Sequence, residues 1–176
     1  KVLLEGEDIT RLSPQHRVSR GMAFVPQTQN VLVSLSVEEN LEMGAYLRDD
    51  DFSRTMEQVF ELFPVLKKKR QQPAGELSGG QRQQVAVGRA LMTQPSVLML
   101  DEPTAGVSPI VMDELFERIL EVKKTGIAIL MVEQNARQAL GIADRGFVLV
   151  TGENRYTDSG QALLDNDDVR RSFLGG

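Results

Sequence analysis

Apolar positions along this chain follow two rhythms. In residues 1–26 they form short runs separated by turn-prone residues. KVLLEGEDIT reads as strand and turn, and MAFV at 22–25 is a strand stopped by Pro26. Over 36–72 the spacing becomes helical. SVEENLEMGAYL opens with a Ser-x-x-Glu capping box, Ser36 with Glu39, and FSRTMEQVFELF carries apolar groups three and four apart. From residue 76 the pattern changes again. The short continuous apolar runs VLML (97–100), IAILMV (127–132) and FVLV (147–150) alternate with helical stretches. The first connecting helix has Ser108 at its N-cap and Pro109 at its first position. Met112, Leu115, Phe116 and Ile119 form its buried stripe, and Gly126 ends it. Continuous apolar strands alternating with helices predict an α/β fold with a parallel sheet covered on both faces.

The pattern contains no internal repeat and no low-complexity linker. It reads as a single domain in three segments: 1–34 strand-rich, 35–95 helical, 96–176 a sheet core with a tail. The abrupt opening on a strand leaves no room for a signal peptide and suggests that the chain begins partway into a larger domain. Composition narrows the function classes. With 41% hydrophobic and 26% charged residues the 176-residue chain is of ordinary globular type. A net charge of −5 argues against a nucleic-acid partner. There is no cysteine, hence no disulfide framework or thiolate metal site, and the single histidine, His16, is expected to face water. The apolar runs are too short to span a bilayer. The basic run KKKR (67–70) is expected near a helix C-terminus, facing solvent.

Ligands of parallel sheets sit beyond the carboxyl ends of the strands. Two acids, Asp101 and Glu102, leave VLML there, suited to holding a magnesium ion and orienting a water, or merely a pair of acids near helix termini. A second candidate is LSGGQRQQVAVGRAL (77–91). Ser78 and Gln81 form a capping box, which accounts for those two residues without any ligand. It does not account for Gly79 and Gly80, which cost up to about 1 kcal/mol each relative to alanine in a helix. Their expected benefit is close approach of backbone N–H groups to an anion at the helix N-terminus.

Taken together, these residues resemble the ABC-type ATPases, an N-terminally incomplete P-loop NTPase-like domain. Leu77-Ser78-Gly79-Gly80-Gln81 is similar to the family's signature motif, VLMLDE (97–102) to its Walker B strand with catalytic glutamate, and VPQ, ending at Gln27, to its Q-loop. VEENLEMGAYLR, DEPTAGVSP, LMVEQN and the tail ALLDNDDVRRSFLGG resemble the ATPases of branched-chain amino acid importers; related importers of urea or amides use similar wording. The resemblance implies ATP and Mg²⁺ as cofactors. Gln27 would touch the metal or lytic water, Asp101 would hold Mg²⁺ and Glu102 would polarise the attacking water. Ser78, Gly79, Gly80 and Gln81 would press on the γ-phosphate of ATP held by a second ATPase subunit. It also implies membrane permease subunits, a periplasmic solute-binding protein acting indirectly, and a peripheral position on the cytoplasmic face of the inner membrane.

The sequence departs from the family pattern in three places. No G-x-x-x-x-G-K-[ST] loop, the family's Walker A, occurs in it: Gly75/Gly80 and Gly141/Gly146 have the right separation but neither pair is followed by Lys and Ser or Thr. Tight ATP binding by this chain alone is therefore not expected. A non-catalytic module that completes only a partner's site is the alternative to a working ATPase. Gln134 stands where the family carries a switch histidine; its amide can donate to a phosphate but holds no charge. Ser108 stands where an aspartate usually ends the loop after Walker B. ABC-type ATPases of DNA repair share the Ser-Gly-Gly-Gln wording, but they carry long coiled coils or Cys-rich modules that this chain lacks.

Overall fold

The computed structural model describes residues 1–28 and 30–173, so the last three residues of the tail compared above lie outside the described ones. The chain divides into two compact units, 1–132 and 133–176.

The first unit begins with a two-stranded hairpin, β1 (Leu3–Leu4) and β2 (Glu7–Asp8), followed by a short helix α1 (Pro14–Val18) and strand β3 (Met22–Val25). Ser13 caps this helix, its Oγ accepting from the His16 backbone N–H at 3.4 Å. His16 is exposed, as expected, with Nδ1 2.8 Å from Ser13 Oγ.

The expected helical stretch 36–72 is three helices: α2 (Val37–Gly44), α3 (Ser53–Leu62) and α4 (Pro64–Lys68). The Asp49-Asp50-Asp51 run separates the first two, because short acidic side chains bond the backbone outside helices. Pro64 separates the others. It pushes Phe63 out of helical geometry, to φ −126° and ψ 74°, and then restarts the helix as its first residue. A short 3₁₀ turn (Ala74–Glu76) leads into α5 (Gly79–Leu91). Strand β4 (Val97–Asp101), α6 (Pro109–Lys124) and β5 (Ala128–Val132) complete the unit. In α6 the buried residues are Leu115, Phe116, Ile119 and Val122, while Met112 is only half-buried.

Val37 and Leu41 of α2, Val59 and Phe60 of α3, Leu66 of α4 and Val85 of α5 make a core of almost fully buried side chains. Each such burial stabilises by roughly 1.5–3 kcal/mol. Helices α2 and α5 approach closely because of glycine. A Cβ on Gly44 would lie 2.1 Å from the Arg89 carbonyl oxygen, and one on Gly88 would lie 3.0 Å from Leu41 Cδ2.

Strands β3, β4 and β5 form a parallel sheet in that order, as the apolar runs predict. Its register sorts the side chains by face. Ala23, Val25, Leu98 and Leu100 are buried, whereas the row Phe24–Met99–Leu130 points the other way, with Phe24 55% and Leu130 56% exposed. The expectation of cover on both faces is therefore met on one; on the other, Phe24 and Leu130 remain more than half exposed.

The second unit holds α7 (Ala136–Ile142), β6 (Gly146–Val150), β7 (Glu153–Asp158), α8 (Gly160–Asp165) and α9 (Asp167–Phe173). FVLV, read as a further parallel strand, instead pairs antiparallel with β7. The reason is the two-residue link: Thr151 (φ 51°) and Gly152 (φ 82°) both adopt left-handed geometry, the requirement of a tight hairpin. A parallel pairing needs a dozen or more connecting residues. Leu140, Leu163 and Val169 form this unit's core.

Candidate nucleotide site

Two of the expected site residues meet directly. Gln27 follows β3 and Glu102 follows β4, neighbours in the sheet, so both leave at its carboxyl edge. Gln27 Nε2 donates to Glu102 Oε2 at 2.9 Å although the residues are 75 positions apart. The Glu102 backbone is left-handed, at φ 44°, a conformation costing on the order of 1–3 kcal/mol for a non-glycine residue. Its N–H donates to the Val132 carbonyl at 2.8 Å and its own carbonyl accepts from Ala105 at 3.0 Å, which hold it there. The strain turns the side chain out of strand alternation just where β4 ends. Asp101 is still in the strand, paired in register with Val132 and half-buried.

The second part of the candidate site is the tip of α5. The expected capping box is present: Ser78 Oγ accepts from the Gln81 N–H, and Gln81 Oε1 accepts from the Ser78 N–H, both at 3.3 Å. That leaves the N–H groups of Gly79 and Gly80 without a hydrogen-bond partner among the described residues. The two glycines differ. A Cβ on Gly79 would meet nothing within 4 Å, whereas one on Gly80 would lie 2.0 Å from Val111 Cγ1 of α6. Gly80 thus has a packing reason for being glycine; Gly79, exposed at the tip, has none.

Gln134 lies in the second unit, exposed between β5 and α7, its carbonyl accepting from the Ala136 N–H at 2.8 Å. Ser108 occupies the N-cap of α6 without a side-chain cap bond. The basic run 67–70 faces outward and is paired: Lys67 Nζ lies 2.6 Å from Glu57 Oε2, and Arg70 meets Glu38 while covering the Phe60 ring at 5.6 Å.

A set of polar contacts beside the site went unnoticed in the sequence. Asn30, almost fully buried, donates from Nδ2 to Gln83 Oε1 at 2.7 Å and to the Pro26 carbonyl at 3.2 Å. Its own carbonyl accepts from Arg89 Nη2 at 2.9 Å, and burial pushes the Arg89 guanidinium below its usual value. Gln83 and Gln84 are buried, and Gln83 Nε2 and Gln84 Oε1 have no partner among the described residues. The helix carries Gln81, Arg82, Gln83 and Gln84 in succession, and nothing in that run marks which of them turn inward.

A parallel sheet with adjacent acid and glutamine at its carboxyl edge, joined to a helical segment that ends in a capped glycine tip, defines a nucleotide-binding cassette. The chain belongs to the ABC transporter family, whose model matches residues 1–105. It is 45% identical over 98% of its length to the high-affinity branched-chain amino acid transport ATP-binding protein BraG of Pseudomonas aeruginosa, covering 74% of that protein. It is 39% identical over 99% of its length to a probable branched-chain amino acid transport ATP-binding protein, LivF, of Archaeoglobus fulgidus, covering 75% of it. The crystal structure of the ADP conformation of an ATP-binding cassette of an ABC transporter superposes with a TM-score of 0.80 at 29% identity, over 98% of this chain and 76% of that one. The fold is thus that of the ABC ATPases, and the chain is an ATP-binding subunit of an ABC transporter. No helix among the described residues is long and apolar enough to cross a membrane.

Proposed function

We propose that this chain hydrolyses ATP in partnership with a second ATP-binding subunit and so energises an importer of branched-chain amino acids. The contact between Gln27 and Glu102 carries the hydrolytic part of this reading, because it holds a carboxylate where a phosphate-bearing ligand of a parallel sheet belongs. The names of two relatives at 45% and 39% identity support the solute.

In this reading Glu102 accepts a hydrogen bond from the attacking water and draws its proton, while Gln27 fixes the carboxylate's direction. The donor set fits a hard cation: Asp101, Glu102 and the Gln27 amide offer oxygens only. No group of three or more His, Cys, Asp or Glu gathers among the described residues, so the remaining donors are phosphate and water. Bound there, Mg²⁺ would neutralise charge developing on the phosphate oxygens. Asp101 would hold it, with Gln27 beside it. The Ser78 hydroxyl, the N–H groups of Gly79 and Gly80 and the Gln81 amide close over the terminal phosphate of ATP bound to the second subunit. The positive end of α5 favours that anion. Gln134 has an amide N–H₂ able to donate to a γ-phosphate, without the charge of a histidine.

Docking to membrane permease subunits on the cytoplasmic face, with a periplasmic solute-binding protein acting through them, fits exposed apolar residues in the segment after Gln27. Leu32, Val33, Met43, Tyr46 and Leu47 are all exposed there. A non-catalytic role, completing only the second subunit's site, is the alternative reading, for which the capped glycine tip of α5 is sufficient.

An ATPase assay separates the two roles. The chain is measured alone, then mixed with a partner subunit that carries its own phosphate loop. Activity only in the mixture that falls by on the order of 100-fold or more with Glu102→Gln supports hydrolysis at a shared site. Mixed activity indifferent to that substitution assigns the chain the completing role. No stimulation of the partner rejects both.

A further inference from the structure

Resting on the shared-site reading, we infer that Asn30 and Gln83 are positioning residues that fix the α5 tip relative to Gln27, so that the signature residues and the water-polarising carboxylate reach their places together.

The connection can be followed bond by bond. Glu102 is held by Gln27. Three residues after Gln27, Asn30 turns back: its amide donates to the Pro26 carbonyl, closing the loop on itself, and to Gln83 Oε1 of α5 at 2.7 Å. Gln83 is five residues beyond Ser78, a little over one helical turn from the glycine tip, on a helix too short to bend appreciably over that distance. A second bond, Arg89 Nη2 to the Asn30 carbonyl at 2.9 Å, ties the same loop residue to the helix two turns further on. The segment beyond is fastened to α2. Asn40, wholly buried, receives the Leu32 N–H at 2.8 Å and donates to the Leu32, Leu35 and Ser36 carbonyls at 2.9, 3.3 and 2.9 Å. The loop bearing Gln27 is thus attached both to the sheet edge, through Glu102, and to the helical segment, through Asn30 and Asn40.

Gln83 is a costly choice for packing alone. It is 7% exposed, and its Nε2 has no acceptor among the described residues, while methionine would fill similar space with no polar group to satisfy. Exchanging its amide O and N does not relieve this, because Nε2 would then face the Asn30 Nδ2 donor. The orientation is set by Asn30, and the unpaired donor is the remainder. Gln84 supplies a contrast on the same helix. It is more deeply buried and its Oε1 likewise lacks a partner, but its Nε2 donates to Glu114 Oε1 of α6 at 3.0 Å, away from the Gln27 loop.

The test uses the whole chain mixed with a partner subunit that has an intact G-x-x-x-x-G-K-[ST] loop and its own signature serine replaced. Only sites completed by this chain then turn over. Gln83→Met and Asn30→Ala are each expected to lower kcat on the order of 10-fold to 100-fold, since displacement of about 1 Å at such a site has that effect. KM for ATP should stay within about twofold, because neither residue touches nucleotide. The double variant should be no worse than either single one, the sign of a coupled pair. Gln84→Met should leave kcat unchanged. Additive losses, a rise in KM with kcat intact, an unchanged kcat, or an equal loss in Gln84→Met would each overturn the positioning role. Lack of turnover with the unsubstituted chain would instead overturn the shared-site reading on which it rests, and the positioning role with it.

Discussion

Neighbouring residues of one type have different reasons to be where they are. Gly79 and Gly80 look alike in the sequence, but Val111 presses on one and open space surrounds the other. Gly80→Ala must displace Val111 and the start of α6, an overpacking that costs about 1–3 kcal/mol. Gly79→Ala meets no atom and should leave thermal stability unchanged or slightly raised, as alanine favours helices. If the tip approaches a phosphate, Gly79→Ala will nonetheless depress turnover in the mixed assembly. Melting curves set beside ATPase rates check both, and a parallel fall of stability and activity in Gly79→Ala contradicts the assignment. Glu102 shows strain at the same scale, a left-handed glutamate held by the Val132 carbonyl on one side and Gln27 on the other.

Between elements, electrostatics ties α2 to the segment after α4. Arg70 beside Glu38, with Gln71 adding a hydrogen bond, holds the Glu38 carboxyl below the usual carboxylate range. A depressed acid contributes stability that is fully present above its unfolded value, about pH 4.3, and lost as pH falls through the lower folded value. Acid titration followed by circular dichroism should therefore show Glu38→Gln less stable than the parent at neutral pH, with the gap closing as pH falls below about 4. A gap constant with pH assigns the loss to packing. Much of this level was legible in sequence. The capping boxes at Ser36 and Ser78, the three apolar runs and the helix from Pro109 all follow from local chemistry, and each is present. The break at Pro64 was written there too, but helical spacing on both sides obscured it. FVLV could not be placed by its composition, because an apolar run pairs in either direction. The geometry of Thr151 and Gly152 decides it, and a β-branched residue is a poor advertisement for a left-handed turn. Asn30 with Gln83 was invisible, since sequence does not say which buried glutamine finds an acceptor 53 residues away.

At the scale of the whole molecule, the open sheet face and the shared site both point outward. Phe24 and Leu130, with Val132 58% exposed beside them, form an apolar surface of a kind that monomers seldom leave bare. Sedimentation should show the mass of the isolated chain rising with concentration, and Phe24→Ser with Leu130→Thr should reduce that association. A concentration-independent monomer of high melting temperature would contradict it. The α5 tip makes the larger claim: Ser78 and its neighbours belong to a site whose nucleotide another subunit holds. A photoreactive ATP analogue, with its reactive group on the γ-phosphate, tests this most directly. It is loaded on a partner carrying the phosphate loop, mixed with this chain, irradiated and mapped by mass spectrometry. Label within 78–81 that requires both the triphosphate and the partner is the predicted result; label confined to the partner, or falling elsewhere on this chain, would contradict the account.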